Sequence, residues 1–201
     1  MTNGLSTSCF TANKPRITSL VLNLPAEFPQ GLGLGELSEL RDASRAFRQA
    51  GKKTIAYVES AERLVPYWLA SVCEEIYVTP AATIGLTGLC MDVQFLKGLL
   101  EKLDIKMDGG QRKAYKNAYN AFTQESMTSE HRESADSLLT TINTVLVSDM
   151  AASRNVSADD LLEIFKGGPF NADEALSHKL ITGIAYESDV SSHHLQFQLI
   201  T

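Results

Sequence analysis

Histidine, cysteine and positive charge are scarce in this chain, and each shortage removes a class of function. The four histidines, His131, His178, His193 and His194, are scattered, and none stands near a cysteine or a carboxylate pair. The three cysteines, Cys9, Cys73 and Cys90, are odd in number and lack the close pairing of a metal knuckle. No metal and no cofactor is therefore expected. Cys73 closes the apolar run Trp68-Leu-Ala-Ser-Val-Cys73, which reads as the setting of a buried free thiol. Basic residues number 18 against 24 acidic ones, a net charge of −6. Nucleic-acid binding calls for a basic face that neutralises phosphates, so no nucleic-acid partner is expected. An apolar run of the length that crosses a bilayer as a helix, about 18 residues or more, is missing too. Met1 to Asn13 is polar, with neither a basic start nor an apolar middle, and does not read as a signal peptide.

What the chain does have is enough apolar material for a full core: 44% hydrophobic residues beside 21% charged ones. At 201 residues it fits one domain, expected over 15–187 between a polar N-terminal segment, 1–14, and a C-terminal tail, 188–201. Ile17 to Leu24 is apolar and β-branched and reads as a buried strand, stopped by Pro25. A loop with Gly31, Gly33 and Gly35 then opens a helix whose apolar residues, Leu37 to Phe47, recur at 3–4 spacing until Gly51. These glycines match neither phosphate-binding fingerprint. Thr54–Val58 and Glu75–Thr79 read as further strands around a short helix from Tyr67 to Cys73. Strand-helix-strand-helix-strand order implies a mostly parallel sheet with flanking helices, an α/β fold. Further on, Asp92 is placed to cap a helix with Phe95, Leu99 and Leu103 inward, and Ile105 to Met107 reads as a short strand. A long helix is expected from Ser129 to Ser153, capped by Thr128, then helices started by Ser157 and Asn171 and a closing strand, Leu180 to Ala185.

Between the helical patterns lies Gly109 to Met127, a long connection carrying Arg112, Lys113, Lys116, Tyr115, Tyr119 and Phe122. Connections of this length in a compact domain are more often functional than idle. Lys116 has two readings. Among aromatic and small side chains it loses solvent, which favours the neutral amine and makes it a general base. Alternatively it is a surface lysine whose stem lies along Tyr115.

The succession Gly51-Lys-Lys-Thr-Ile-Ala-Tyr57, Tyr67-Trp-Leu-Ala-Ser71, Thr83-Ile-Gly-Leu-Thr-Gly88, Phe95 to Leu103, Tyr115-Lys116-Asn-Ala118 and Glu125 to Arg132 resembles protease IV. That is the signal peptide peptidase A family of serine peptidases, whose fold belongs with the ClpP/crotonase group. Gly167-Gly-Pro-Phe170 with Leu180-Ile-Thr-Gly183 resembles its closing segment, so the likeness covers about residues 15 to 187. The resemblance implies that Lys116 deprotonates a serine that attacks a peptide carbonyl, a Ser-Lys dyad. Thr83 falls where the family has a hydroxyl residue in a Gly-Ser-x-Gly turn. There it orients the lysine amine, or it merely caps the turn.

The departures from the family carry as much weight. Leu64 stands at the position of the family's nucleophile, within Leu64-Val65-Pro66 where the family has a Ser-Gly-Gly-like motif, and leucine cannot attack a carbonyl. Ser60 lies too early and Ser71 falls inside the helix. Asn120-Ala121 replaces a Glu-Pro pair. The long form of the family resembles two tandem copies of this domain, the first with the lysine and the second with the serine, and this chain resembles the first. It would then be a half-domain, completed by a serine-bearing second domain or subunit in a homo-oligomeric assembly. The implied substrates are hydrophobic or signal peptides. The family is membrane-associated, whereas this chain shows no anchor or leader, so its compartment stays open. Two other readings remain. One is a structural copy that only builds the oligomer. The other is an acyl-CoA enzyme of the crotonase type, which lacks a suitable glycine pair after Thr54–Val58.

Overall fold

The computed structural model describes residues 17–27, 33–109 and 112–190. The N-terminal segment, Gly31, residues 110 and 111, and the tail from 191 with His193 and His194 lie outside the described residues. The chain divides into two compact units, one formed by Met1–Gly88 with Leu146–Thr201 and the other by Leu89–Val145.

In the first unit, β1 (Ser19–Leu24) leads through the described part of the loop to helix α1 (Leu34–Gln49), whose N-cap is Gly33. The backbone N–H of Gly33 is taken by the Glu36 carboxylate at 3.0 Å. Gly51 ends the helical segment at φ +75°, a left-handed turn that glycine adopts without a Cβ penalty. Then come β2 (Lys53–Val58), α2 (Leu64–Ala70), β3 (Glu75–Val78) and β4 (Thr83–Ile84). Helix α2 starts three residues before the expected Tyr67, with Pro66 inside its first turn. Proline is tolerated there because a first-turn N–H has no intrahelical acceptor.

The C-terminal part of this unit holds α6 (Ala158–Phe165), β5 (Phe170–Asn171), α7 (Ala172–Ser177) and β6 (Gly183–Ile184), preceded by the end of the long helix described below as α5. The Ser157 hydroxyl caps α6 by accepting the Asp160 N–H at 3.0 Å, as expected. Asn171 and Glu174 form a reciprocal capping box at the start of α7.

Strands β1, β2, β3 and β6 form one parallel sheet in that order. The register pairs Leu24 with Val58, Val58 with Val78 and Val78 with Ile184, so the four strands end level at their carboxyl ends. Strand β2 is buried along nearly its whole length, which is why it reads as an unbroken apolar run. Strands β4 and β5 make a separate antiparallel pair.

Among the described residues, one charged side chain is buried inside this unit. Arg41 of α1 is 1% exposed and ties three segments together. Its guanidinium donates to the Trp68 carbonyl, to Ser71 Oγ (2.9 Å), to the Asp149 carbonyl (2.8 Å) and to Ser153 Oγ (2.7 Å). It also stands over the Trp68 ring, 5.1 Å from its centroid, while the indole N–H donates to the Asp149 carboxylate at 3.1 Å. Burial lowers the Arg41 pKa to about 10, against the pull of Asp149 in the other direction. Near the end of the described chain, Val190 is buried against Ile55 and Tyr57.

The second unit contains α3 (Lys97–Lys102), a 3-10 turn (Asn117–Tyr119), α4 (Asn120–Thr123) and most of α5 (Ser129–Arg154), which continues into the first unit from Leu146. The Thr128 hydroxyl accepts the His131 N–H at 3.2 Å and so caps α5. Two expectations fail here. The helix begins at Lys97, so Asp92 does not cap it, and Leu99 and Leu103 are 55% and 60% exposed instead of inward. Ile105 to Met107 is exposed and forms no strand. The apolar spacing is real, but Gly98 weakens the helix, and among the described residues no neighbour covers Leu99 and Leu103. Likewise Leu138 and Val145 of the α5 stripe are exposed, whereas Leu146 and Met150 are buried.

Candidate functional site

In the first unit, β2 passes into the segment Glu59-Ser60-Ala61-Glu62, and this segment runs beside β4. Ala61 donates its N–H to the Thr83 carbonyl (2.9 Å), Gly85 donates to the Ala61 carbonyl (2.6 Å), and the Ser60 hydroxyl donates to the Thr83 carbonyl (3.3 Å). The two backbones approach so closely that a Cβ on Gly85 would fall on the Glu62 carbonyl. Glycine is therefore required at this point of the Thr83-Ile-Gly-Leu turn. Thr83, half-buried, is further held by antiparallel pairing with Asn171.

The segment then enters α2 at Leu64. The Leu64 side chain is 2% exposed and belongs to the core. The residue expected at the place of the attacking hydroxyl is thus a buried aliphatic group. Behind it, Tyr67 donates its hydroxyl to the Leu180 carbonyl at 2.8 Å. Burial pushes that phenol up to about 12. The Cys73 thiol, buried as expected, is likewise pushed up to about 12 by burial, so it is an inert core thiol.

Lys116 belongs to the second unit, where it is the N-cap of the 3-10 turn and donates its backbone N–H to the Lys113 carbonyl at 3.1 Å. Its side chain is exposed. Tyr115, expected to shield it, is 58% exposed and donates its hydroxyl to Glu133 at 2.8 Å, a bond that holds the phenol proton on and raises the phenol pKa. The loop is nonetheless anchored. Tyr119 donates to the Asp108 carbonyl at 2.8 Å and meets Phe122 edge-on, with ring centroids 6.4 Å apart. Asn120 is fully buried, donating to Asn117 Oδ1 at 3.3 Å, while its own Oδ1 has no donor among the described residues. Leu96 donates to the Ala121 carbonyl at 2.7 Å, which fixes the start of α4.

Thr83 and the Leu64 position are brought together in one unit, and Lys116 sits in the other. Sequence reasoning passed over Glu59 and Glu187. Both line a cavity of about 600 Å³ at the carboxyl edge of the parallel sheet. The available signal was positional, since Glu59 is the first residue after β2, and crevices at the carboxyl ends of parallel strands are where such sheets bind ligands.

Residues 46–196 match the model of peptidase family S49. Over 179 residues the chain is 26% identical to "Serine protease SPPA, chloroplastic" of Arabidopsis thaliana, a match covering 89% of this chain and 26% of that protein. It is 28% identical over 148 residues to "Protease 4" of Haemophilus influenzae, covering 74% of this chain and 24% of that one. The chain thus spans about a quarter of the length of these relatives. Among solved structures, an enoyl-CoA hydratase/isomerase family protein from Silicibacter pomeroyi superposes with a TM-score of 0.50 at 17% identity, over 96% of this chain and 68% of that one. That likeness concerns the fold alone, and it agrees with the crotonase-like α/β architecture expected from the sequence.

Proposed function

The chain belongs to peptidase family S49, and from that premise we propose that it is the lysine-bearing half of a composite serine peptidase site. Lys116 is the general base, and the nucleophilic serine comes from a second domain or subunit. Thr83 is the hydroxyl that orients the lysine amine once the assembly forms. The substrates are hydrophobic or signal-type peptides, and the assembly is a homo-oligomer or a pair of related domains.

One contrast supports this reading: Leu64, which the resemblance aligns with the family's attacking hydroxyl, is buried in the core, while Lys116 is exposed on its own unit. A lysine serves as general base once solvent is excluded from its amine. Docking of a partner over the exposed Lys116–Tyr115 segment removes that solvent and supplies the hydroxyl in one event. Proton transfer from serine Oγ to lysine Nζ then accompanies attack on the peptide carbonyl, and the ammonium returns the proton to the leaving amine.

The test is reconstitution. This chain mixed with a serine-bearing S49 domain is expected to hydrolyse a fluorogenic hydrophobic peptide, with neither component active alone. Lys116→Ala lowers the rate of the mixture at least ~100-fold, in the range of a lost general base. A mixture as active with Lys116→Ala as with the unaltered chain overturns the proposal. The exposure of Lys116 also favours a second reading, a non-catalytic domain that only builds an oligomer. Under that reading the partner assembles normally and its activity ignores Lys116.

A further inference from the structure

We propose that the cavity at the carboxyl edge of the parallel sheet is a binding site for a guanidinium or ammonium side chain of a polypeptide. The cavity, about 600 Å³, lies where β1, β2 and β3 end level, and Tyr186, Glu187 and Ser188, which follow β6, also line it. Its size suits a long side chain together with some of its flanking backbone.

The lining decides what chemistry enters. Two carboxylates, Glu59 and Glu187, line the cavity together with two tyrosines, Tyr57 and Tyr186, and among the described residues neither lysine nor arginine does. Both carboxylates are held in place by the protein. Glu187 accepts from the Asn23 amide at 2.6 Å, and Glu59 accepts from the Ala26 N–H at 3.1 Å. Each therefore commits one oxygen to the protein, and the second has no protein donor among the described residues. The negative field is felt locally. The Tyr57 phenol is raised first by burial; a hydrogen bond with the Glu187 backbone pulls it the other way, and the charges of Glu187 and Glu59 raise it.

An anionic ligand is repelled by such a lining, and a neutral one leaves both charges uncompensated. A metal ion is disfavoured, since among the described residues no group of three or more histidine, cysteine, aspartate or glutamate side chains is arranged to hold one. An extended organic cation fits on every count. It donates to two fixed carboxylate oxygens, its charge sits against tyrosine rings, and its stem occupies the rest of the volume. Binding of this kind does not depend on the Lys116 reading, because it needs no catalysis to be observed.

The experiment titrates the full chain with N-acetyl-arginine methylamide and, in parallel, with the citrulline analogue, which has nearly the same shape but no charge. Backbone and side-chain NMR signals of Tyr57 and Tyr186 serve as the readout. The arginine compound is expected to produce saturable shifts at these residues and to bind at least tenfold more tightly than the citrulline one. Raised salt weakens it, and the preference disappears in Glu59→Gln/Glu187→Gln. That double variant keeps the shape of both side chains, and its melting temperature verifies the fold. Should it fail to fold, Tyr186→Ala, at an exposed position, is expected to weaken arginine binding several-fold by itself. Equal shifts from the two compounds, or arginine binding unchanged in whichever variant folds, overturns the proposal.

Discussion

Removing the Arg41 side chain tests whether α1, α2 and α5 are held by a buried charge, and its cost follows from the contacts. Arg41→Ala leaves the Trp68 and Asp149 carbonyls and the Ser71 and Ser153 hydroxyls without this donor. It also takes the cation from beside Asp149, whose carboxylate lies 3.7 Å from Nε. Breaking one side of a buried pair costs about 3–5 kcal/mol. Asp149 is only partly buried, so water recovers some of that, and about 3–4 kcal/mol is the expected loss. At roughly 2–4 °C per kcal/mol for a chain of this size, the melting temperature falls by roughly 6–16 °C. Arg41→Met retains the stem that packs on Trp68 and is expected to lose about half as much. Arg41→Lys keeps a charge but cannot fork between Trp68, Ser71 and Asp149, and is expected to fall between the two. Urea unfolding followed by tryptophan fluorescence suits this test, because Trp68 is the only tryptophan and belongs to the network. A loss below about 1 kcal/mol for Arg41→Ala, with an unchanged denaturant slope, would refute the reasoning.

Other expected outcomes rest on separate features. Gly85→Ala forces two backbones apart and is expected to cost about 3 kcal/mol in urea unfolding, whereas Gly35→Ala, with nothing near its added Cβ, is expected to be neutral or slightly stabilising. Replacing the cap Ser157 or Asn171 by alanine is expected to cost about 0.5–2 kcal/mol each, measured the same way. Alkali is expected to destabilise the protein from about pH 9 upward. The folded Cys73 thiol and Tyr67 phenol are both raised to about 12, from 9.0 and 10.0, so the unfolded chain loses these protons first. Their stabilisation is complete below pH 9 and is lost as pH rises toward 12. Arg41 acts with the opposite sign, but only above about pH 10. Unfolding midpoints between pH 8 and 11 should fall in the native chain and fall less in Tyr67→Phe. Equal slopes would exclude this origin.

Local chemistry was enough to read much of the frame. The strands β1, β2 and β3 are apolar runs bounded by turn residues, and their alternation with helices implied the parallel sheet that the structure contains. Ser157 and Asn171 act as caps because capping needs only residues three apart in sequence. The proposal that the attacking hydroxyl is missing at Leu64 rests on a single residue type and on the family resemblance; the structure adds that this side chain is buried. Tertiary structure alone decided the rest. Strand β5 has two residues and exists because β4, nearly ninety positions earlier, lies beside it. Nothing in the local sequence singles out Arg41, since its partners Trp68, Asp149 and Ser153 come from other segments. The leucine spacing around Leu99 and Leu103 announced a buried face, yet both side chains are exposed. Periodicity records which residues share a side of a helix. Whether anything covers that side depends on contacts between segments far apart in the chain, which no local window contains.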